Sequence, residues 1–255
     1  MTHWTEEMFV EHAEVFERTM QGRIEDTDEE VDQLLALLNE HGVTPETALD
    51  VACGIGRHTV EFGRRGLTVR GLDISPAYVE SARERAADAD VAEAVTVEIG
   101  DMRELDRVEG SYDLVTNMWT AFGYFDEATN EAVAQGFYER VAEDGALVME
   151  LSNKDYTLGN YRASHAGLDN GTLHVERNEY TPSTGRIETT LGLFEQDGDD
   201  YEYLGEVEWD LRLYAPAELR RLLERVGFST VSLYGGLDGS PLTRESNRLV
   251  VVAQS

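Results

Sequence analysis

Lysine is nearly absent from this chain of 255 residues, which has Lys154 as its one lysine beside 20 arginines. Aspartate and glutamate number 51 against 21 basic residues, so the formal net charge is −30. A protein that follows a phosphate backbone needs a basic stripe on its surface, and this composition lacks the residues for one. We therefore predict that the protein does not bind nucleic acid.

The acidic residues are spread along the whole chain rather than gathered in one tail. Such a surface serves either to bind basic partners or to keep a protein soluble in concentrated salt, where counterions screen the self-repulsion. Because the acid excess and the scarcity of lysine extend over the entire sequence, the second interpretation is favoured. We expect a halophilic, haloarchaeal source.

Cysteine and long apolar runs are scarce as well. Cys53 is the only cysteine, so a disulfide within the chain is excluded, and no His–Asp pattern accompanies it as it would a nucleophile. Apolar runs fall well short of the eighteen residues of a membrane span, and the N-terminus is acidic and polar, unlike a signal peptide. We expect a cytoplasmic protein without a membrane partner or a metal site.

From residue 47 to residue 151, short apolar stretches alternate with helical patterns, which is typical of an α/β protein with a parallel sheet. The five stretches predicted as strands are 47–51, 67–72, 95–99, 112–118 and 146–151. In such sheets the ligand lies at the carboxyl ends of the strands. The polar residues at these ends are Asp50, Asp73, Asp101, Asn117 and Asn153.

The pattern changes after the fifth strand. Residues 172–180, 186–195 and 201–214 alternate with a period of two and are separated by turn-rich segments, which predicts an antiparallel insertion of about three strands. A helix from Pro216 and two final strands follow. We therefore divide the chain into one domain, formed by 1–153 with its N-terminal helices and by 215–255, and an insertion, 154–214.

A glycine turn joins the first strand to the next helix, at Gly54 and Gly56. Asp73 lies nineteen residues after Gly54, at the end of the second strand. A strand, a glycine turn at a helix N-terminus and an acid about twenty residues later form a nucleoside-binding βαβ unit. The glycines allow the backbone to approach the ligand, and the acid accepts hydrogen bonds from ribose hydroxyls.

The turn departs from the dinucleotide pattern in two ways. Thr59 stands at the sixth position, where that pattern has Gly or Ala, and Asp50 would repel a pyrophosphate. An acid here suits a cationic ligand, and disfavours a nicotinamide dehydrogenase. The segment Leu49–Gly56, Leu-Asp-Val-Ala-Cys-Gly-Ile-Gly, resembles the first motif of the class I S-adenosylmethionine-dependent methyltransferases, although Ala52 stands where the family often has Gly.

The resemblance implies an α/β fold with a doubly wound, mostly parallel seven-stranded sheet in the order 3-2-1-4-5-7-6. It also implies S-adenosylmethionine as cofactor, with Asp73 binding both ribose hydroxyls and Asp101 binding the adenine amino group. The full set of implied cofactor contacts is Trp4, Asp50, Ala52, Cys53, Gly54, Gly56, Asp73, Ile74, Asp101, Met102, Asn117, Met118 and Trp119. Trp4 equally fits a role in packing the first helix.

Methyl transfer from a sulfonium is an in-line displacement that depends on positioning and on an unprotonated nucleophile. The family therefore has no universal catalytic residue. His58 and Tyr124 are the candidates for a catalytic role, although His58 also fits as an ordinary residue of the first helical turn.

After the fourth strand the chain lacks the Asn/Asp-Pro-Pro-Tyr/Phe motif of enzymes that methylate adenine or glutamine. The insertion resembles the lid of small-molecule N-methyltransferases, and a sheet that forms a homodimer is the alternative. As a lid it would bring Tyr161, Trp209, Arg212 and Tyr214 to the substrate. We predict methyl transfer to a small molecule; the alternatives are an RNA or protein methyltransferase and a noncatalytic S-adenosylmethionine-binding protein.

Overall fold

The computed structural model describes residues 3–169, 172–198 and 200–255. Its strands are β1 (Thr47–Val51), β2 (Thr68–Asp73), β3 (Val95–Ile99), β4 (Tyr112–Asn117), β5 (Val141–Ser152), β6 (Ser164–Asp169), β7 (Thr172–Thr181), β8 (Arg186–Asp197), β9 (Asp200–Arg212), β10 (Thr230–Tyr234) and β11 (Arg248–Gln254). Its α-helices are α1 (Trp4–Glu6), α2 (Ala13–Gln21), α3 (Thr27–Glu40), α4 (Arg57–Arg64), α5 (Pro76–Asp88), α6 (Glu127–Arg140), α7 (Lys154–Gly159) and α8 (Pro216–Val226). A π-helical turn spans Glu7–Glu11, and a 3₁₀ helix spans Met102–Arg107.

The main sheet has the strand order β3-β2-β1-β4-β5-β11-β10. Strands β1 to β5 pair in parallel, and β11 is antiparallel to both β5 and β10. The predicted α/β fold and the predicted order 3-2-1-4-5-7-6 are therefore confirmed. This order brings the carboxyl ends of β1, β2 and β4 to one edge, where the chain reverses direction across the sheet.

Both faces of the main sheet are covered by helices, because successive strand residues point to opposite faces. Ala48 and Leu114 pack with α3, α4 and α5 on one face. Leu49 and Val115 pack with α6 and α8 on the other. These strand residues are fully buried, which explains why the strands are continuous apolar runs in the sequence.

Thr27 and Glu30 have the spacing of a capping box, which predicts Thr27 as the N-cap of helix α3, but the helix begins in a different way. Asp26 is the N-cap residue, and the Thr27 hydroxyl donates a hydrogen bond to the carbonyl oxygen of Arg23, 3.0 Å away. The Glu30 side chain contacts Arg57 and His58 instead of the helix start. The capping prediction was wrong because these long-range ionic contacts compete with the local one.

The predicted antiparallel insertion is present, but it has four strands where about three were predicted. The second sheet has the order β6-β7-β8-β9, and every pair in it is antiparallel. The additional strand, β6, has the sequence Ser-His-Ala-Gly-Leu-Asp, which lacks the alternation of a half-buried strand. It forms because it pairs with the free edge of β7, and this pairing cannot be predicted from the sequence of β6 itself.

Apolar residues recur at helical spacing between residues 4 and 20, which predicts one helix, but the N-terminal segment forms two helical pieces. The π-helical turn follows α1, and His12, with φ −120° and ψ 36°, separates it from α2. Met8 is buried in this turn, and Ala13 and Met20 are buried along α2. None of the helices that the structure describes is long and apolar enough to cross a membrane.

Candidate active site

A cavity of about 300 Å³ lies at the carboxyl ends of β1, β2 and β4. This is the position at which open α/β sheets bind their ligands. Trp4 and Phe9 of the N-terminal segment cover it from one side, and Trp209 and Leu211 of β9 cover it from another. The insertion therefore contributes directly to the walls of the cavity.

The turn after β1 is built from left-handed backbone conformations. The φ angle is 59° at Ala52, 56° at Gly54 and 74° at Gly56. A methyl group on Gly54 would come within 2.8 Å of the Met20 sulfur, and one on Gly56 would lie 2.7 Å from Cβ of Ala82. Gly54 thus keeps the cavity side open, whereas Gly56 lets α4 pack on α5 and does not line the cavity.

Ala52 adopts a conformation that costs an L-residue about 1–2 kcal/mol and costs glycine nothing. We expect Ala52→Gly to raise the free energy of unfolding by about 1 kcal/mol, because the released strain exceeds the added chain entropy of glycine. Denaturant unfolding measures this. Ala48→Gly, in β1, is the matched control and should destabilise the protein; a loss of stability in both variants would contradict the strain.

Asp73 lies at the end of β2 with its carboxylate aimed at the glycine turn. One carboxylate oxygen accepts from the backbone N–H of Gly54 at 2.8 Å, and the other accepts from that of Ser75 at 2.9 Å. Burial raises the pKa of Asp73 to about 6, against the lowering effect of these two hydrogen bonds. Each oxygen retains a further lone pair, so the carboxylate can accept from two neighbouring hydroxyl groups.

Asp50 is held at the end of β1 by two threonine hydroxyls. Thr59 donates to one oxygen at 2.6 Å, and Thr116 donates to the other at 2.8 Å. The side chain is 2% exposed and lines the cavity. Thr59, which breaks the dinucleotide pattern, thus positions an acid at the turn and retains negative charge where a pyrophosphate would have to lie.

Asp101 lies further along the same edge, after β3. Its carboxylate accepts from Arg103 Nε at 2.8 Å and from the backbone N–H of the same residue at 2.8 Å. The guanidinium of Arg103 also stacks over the ring of Phe125, with 5.0 Å between Cζ and the ring centroid. Asp101 and Met102 both line the cavity.

A cluster of charged groups stands behind the glycine turn. Glu30 accepts hydrogen bonds from Arg57 and lies 3.1 Å from Nε2 of His58. Burial alone would raise the pKa of Glu30, but the hydrogen bond to His58 and the charge of Arg57 lower it to about 2. Glu30 therefore carries a full negative charge, which Arg57, His58 and, at 3.6 Å, Arg23 surround.

This cluster leaves hydrogen-bond donors unused. Nη2 of Arg57 and Nε of Arg23 are buried, and neither has a hydrogen-bond partner among the described residues. Arg57 is 5% exposed and lines the cavity. A buried donor without a partner costs about 1–3 kcal/mol, so an anionic group of a ligand would gain from binding Arg57.

Aromatic rings form much of the cavity wall. They are Trp4, Phe9, Phe16, Tyr78, Trp119, Tyr124, Phe125 and Trp209. Trp4 meets Tyr124 edge-on with 4.9 Å between the ring centroids, and Phe16 meets Trp209 at 6.3 Å. Burial raises the pKa of the Tyr124 phenol, so its hydroxyl stays protonated near neutral pH. Such rings attract cations and exclude water.

A polar floor, which the sequence analysis did not predict, lies where the cavity meets the end of β5 and the start of β11. Arg248 and Ser152 line it, and the buried Glu150 contacts Arg248 Nε through an oxygen 3.1 Å away. Glu150 also accepts from the backbone N–H of Trp119 at 3.3 Å. Trp119 and Thr120 have φ angles of 56° and 65°, so this floor holds a strained turn. A glutamate inside an apolar strand was the available signal.

The structure brings together most of the residues proposed from the sequence. The cavity is lined by Trp4, Asp50, Ala52, Cys53, Gly54, His58, Asp73, Ile74, Asp101, Met102, Met118, Trp119, Tyr124 and Trp209. Asn117 is fully buried behind it and donates to the carbonyl of Val51. Burial raises the pKa of the Cys53 thiol, which keeps this sulfur protonated and packed.

Three of the proposed substrate residues lie away from this cavity. Tyr161 is exposed and donates to the carbonyl of Asn178 at 2.6 Å. Arg212 donates to Glu127 at 2.6 Å and lines a neighbouring cavity. Tyr214 is 5% exposed and packs on Phe122. Residues after Leu211 leave the cavity because β9 ends there and the chain returns to the main domain.

Several known proteins are similar to this chain in sequence. Residues 48–145 match the methyltransferase domain family. A dTDP-3-amino-3,6-dideoxy-alpha-D-glucopyranose N,N-dimethyltransferase of Streptomyces fradiae is 32% identical over 141 residues, 55% of this chain and 52% of that protein. A glycine/sarcosine/dimethylglycine N-methyltransferase of Actinopolyspora halophila is 28% identical over 210 residues, 80% of this chain and 34% of that protein. The chain thus spans about half the length of the first relative and a third of the second.

Among solved structures, an S-adenosylmethionine-dependent methyltransferase from Clostridium acetobutylicum superposes with a TM-score of 0.79. It is 14% identical, and the superposition covers 96% of this chain and 97% of that one. At this identity the likeness concerns the fold, which includes the antiparallel insertion. The fold is that of the class I S-adenosylmethionine-dependent methyltransferases, and residues 48–145 match the methyltransferase domain family.

Proposed function

We propose that this protein is an S-adenosylmethionine-dependent methyltransferase that methylates a nitrogen atom of a small molecule. The observation that carries the proposal is the buried Asp73 carboxylate, held against the glycine turn by the N–H groups of Gly54 and Ser75. Each of its oxygens keeps a free lone pair for a ribose hydroxyl inside the cavity. The named relatives, which methylate amino sugars and glycine derivatives, support a small amine as acceptor.

The residues present fit the cofactor in its separate parts. Asp73 would accept from the ribose hydroxyls, and Asp101 would accept from the adenine amino group, with Ile74 and Met102 beside the ring. The unused Nη2 of Arg57 would bind the carboxylate of the methionine part, and Asp50 would attract its ammonium. When bound, the cofactor supplies a methyl group activated by a positively charged sulfur.

The chain itself contributes position and a dry cavity. The rings of Trp4, Trp119 and Tyr124 exclude water and would stabilise a positively charged group of the cofactor or of the acceptor. Tyr124 keeps its proton, so it orients the amine by a hydrogen bond and does not remove a proton. His58 is the remaining candidate base, and its Nε2 is held by Glu30. In-line positioning therefore supplies most of the rate.

The rival activities fit less well. A nicotinamide dinucleotide would place its pyrophosphate at the glycine turn, where the carboxylate of Asp50 would repel it. An RNA methyltransferase would need a basic surface, and the net charge is −30. A noncatalytic S-adenosylmethionine-binding protein would need no room beside the methyl group, whereas the cavity continues past Trp119 to Ser152 and Arg248.

The proposal also covers the role of the insertion and the cellular environment of the protein. Trp209 and Leu211 line the cavity, which supports a lid over the acceptor, and the exposed Tyr203 and Leu204 on β9 support a homodimer as the alternative role. Light scattering in molar KCl separates a monomer from a dimer. The dispersed acidic surface supports a cytoplasm of high salt concentration, as in haloarchaea.

Calorimetric titration in molar KCl tests the proposal, with S-adenosylhomocysteine as ligand and NADH as control. We expect binding of S-adenosylhomocysteine alone, in the micromolar range. Transfer of a labelled methyl group from S-adenosylmethionine to amino sugars and amino acids then identifies the acceptor. Binding of NADH instead, or of neither ligand by the folded protein, would overturn the cofactor assignment.

A further inference from the structure

We propose that Arg248 anchors a carboxylate of the methyl acceptor, so that the acceptor is an amino acid or a related amine with a carboxylate close to its nitrogen. This inference rests on the proposed function, because it assigns the end of the same cavity that the cofactor leaves free. Four features of the structure carry it: the position of Arg248 in the sheet, its free donors, its buried partner and the neighbouring rings.

The strand order separates Arg248 from the nucleoside end of the cavity. Arg248 begins β11 and lies in register with Ser152 of β5. Four strand spacings, about 19 Å, separate β11 from β2, which carries Asp73. The nucleoside end therefore lies over β2 and β3, the methionine end over β1, and Arg248 faces the space beyond β4.

Glu150 holds Arg248 in a way that leaves its terminal donors free. The contact is made to Nε, 3.1 Å from one Glu150 oxygen, and the Glu150 side chain is 5% exposed. The other oxygen accepts from the backbone N–H of Trp119. No described residue accepts a hydrogen bond from Nη1 or Nη2 of Arg248, whose side chain is 21% exposed and lines the cavity. Two parallel N–H groups match the two oxygens of a carboxylate.

The charges at this end favour a zwitterion over other ligands. Arg248 and Glu150 together are neutral, so a phosphate dianion gains little from them and is repelled by Glu150. A carboxylate that brings its own ammonium group adds no net charge. Trp119 lines the same cavity, and its ring lies 5.8 Å from Cζ of Arg23 and 6.4 Å from the ring of Phe16. It belongs to the aromatic wall, which attracts the positive charge that the nitrogen carries before it loses its proton to solvent and again after it gains the methyl group. Glu150 is thus a positioning residue for Arg248.

The test uses matched acceptors on the intact protein. Rates of labelled methyl transfer are measured with glycine, sarcosine and β-alanine, with glycinamide, which lacks the carboxylate, and with glucosamine. The same compounds are titrated into the protein saturated with S-adenosylhomocysteine. We expect at least one carboxylate to bind and be methylated, about 10- to 100-fold better in kcat/KM than the amide or the sugar.

The variants are Arg248→Gln and Arg248→Lys. We expect Arg248→Gln to lose the preference for the carboxylate through a higher KM. Arg248→Lys retains a positive charge beside the buried Glu150, so it is expected to fold even if Arg248→Gln does not. It should retain part of the preference for the carboxylate, because it keeps the charge and loses the paired donors. Arg177→Gln, which removes an exposed arginine on β7, is the matched control and should behave as the unaltered protein.

The outcomes distinguish this anchor from the cofactor assignment. If the protein binds S-adenosylhomocysteine but uses amides or amino sugars as well as carboxylates, the anchor is wrong and the proposed function stands. The same follows if no carboxylate binds the loaded protein, or if Arg248→Gln retains the full preference. If S-adenosylhomocysteine itself fails to bind the unaltered protein, the proposed function is overturned first.

Discussion

Replacement of Asp73 by alanine should weaken the binding of S-adenosylhomocysteine by roughly 1–3 kcal/mol, or about 5- to 150-fold. In the proposed site the carboxylate would accept from both ribose hydroxyls, so its loss would leave these hydroxyls without a partner in a buried site. The variant also frees the N–H groups of Gly54 and Ser75, which loosens the turn. Calorimetric titration in molar KCl measures the change in Kd.

A second variant separates binding from folding. Asp73→Asn keeps the shape of the side chain, but it replaces one acceptor oxygen with a donor that faces a backbone N–H. It should remain folded and still bind weakly. Asp88→Asn, at the exposed end of α5, is the matched control and should leave the Kd unchanged. Full affinity in folded Asp73→Ala would refute the ribose site.

The pH dependence of the same binding follows from the pKa of Asp73, which burial raises to about 6. Below this pH the carboxyl group of the empty site is protonated, and it must lose that proton to accept from both hydroxyls. The affinity should therefore be constant above pH 7 and fall by about tenfold for each pH unit below 6. In Asp73→Asn this dependence should disappear.

Thermal unfolding should respond strongly to salt, with a Tm that rises by about 10 °C or more between 0.1 M and 3 M KCl, or about 3–5 kcal/mol. The chain has 51 acidic residues and 21 basic ones, so most of its carboxylates have no basic partner to neutralise them. Acids that do form ion pairs often share one partner: the single guanidinium of Arg65 contacts Asp28, Asp32 and Glu61. Salt shortens the screening length from about 10 Å to about 3 Å by 1 M and removes the remaining repulsion.

Two controls identify screening as the cause. Sucrose at equal osmolality is excluded from protein surfaces but does not screen charge, and it should raise the Tm less than KCl does. A variant in which Glu25, Glu40, Glu109 and Glu143 are glutamine removes exposed acids that form no ion pair with a described residue. It should melt at a higher temperature in low salt and depend less on KCl. An equal Tm in low and high KCl would rule out adaptation of the protein to concentrated salt.

The local pattern of the sequence was sufficient for the α/β class, and the resemblance of one glycine motif to the methyltransferases implied the strand order. The α/β class and the glycine turn depend on local signals: continuous apolar strands, left-handed glycines and an acid at a fixed distance. Asp126 and Ser75 are of the residue types that cap helices, and each accepts from the backbone N–H three residues later. Such features depend on neighbours within a few residues, so one chain segment contains the information.

The rest was decided by contacts between residues far apart in the chain. Strand β6 exists because β7 offers it an edge, and Glu30 turns from its own helix start to Arg57 and His58 across 27 and 28 residues. Arg248 reaches the cavity because β11 pairs with β5, where Glu150 is buried among apolar side chains. The sequence determined the glycine turn and the acid that follows it, whereas only tertiary packing decided which charged groups line the cavity, since ion pairs across strands follow from sheet order and not from local pattern.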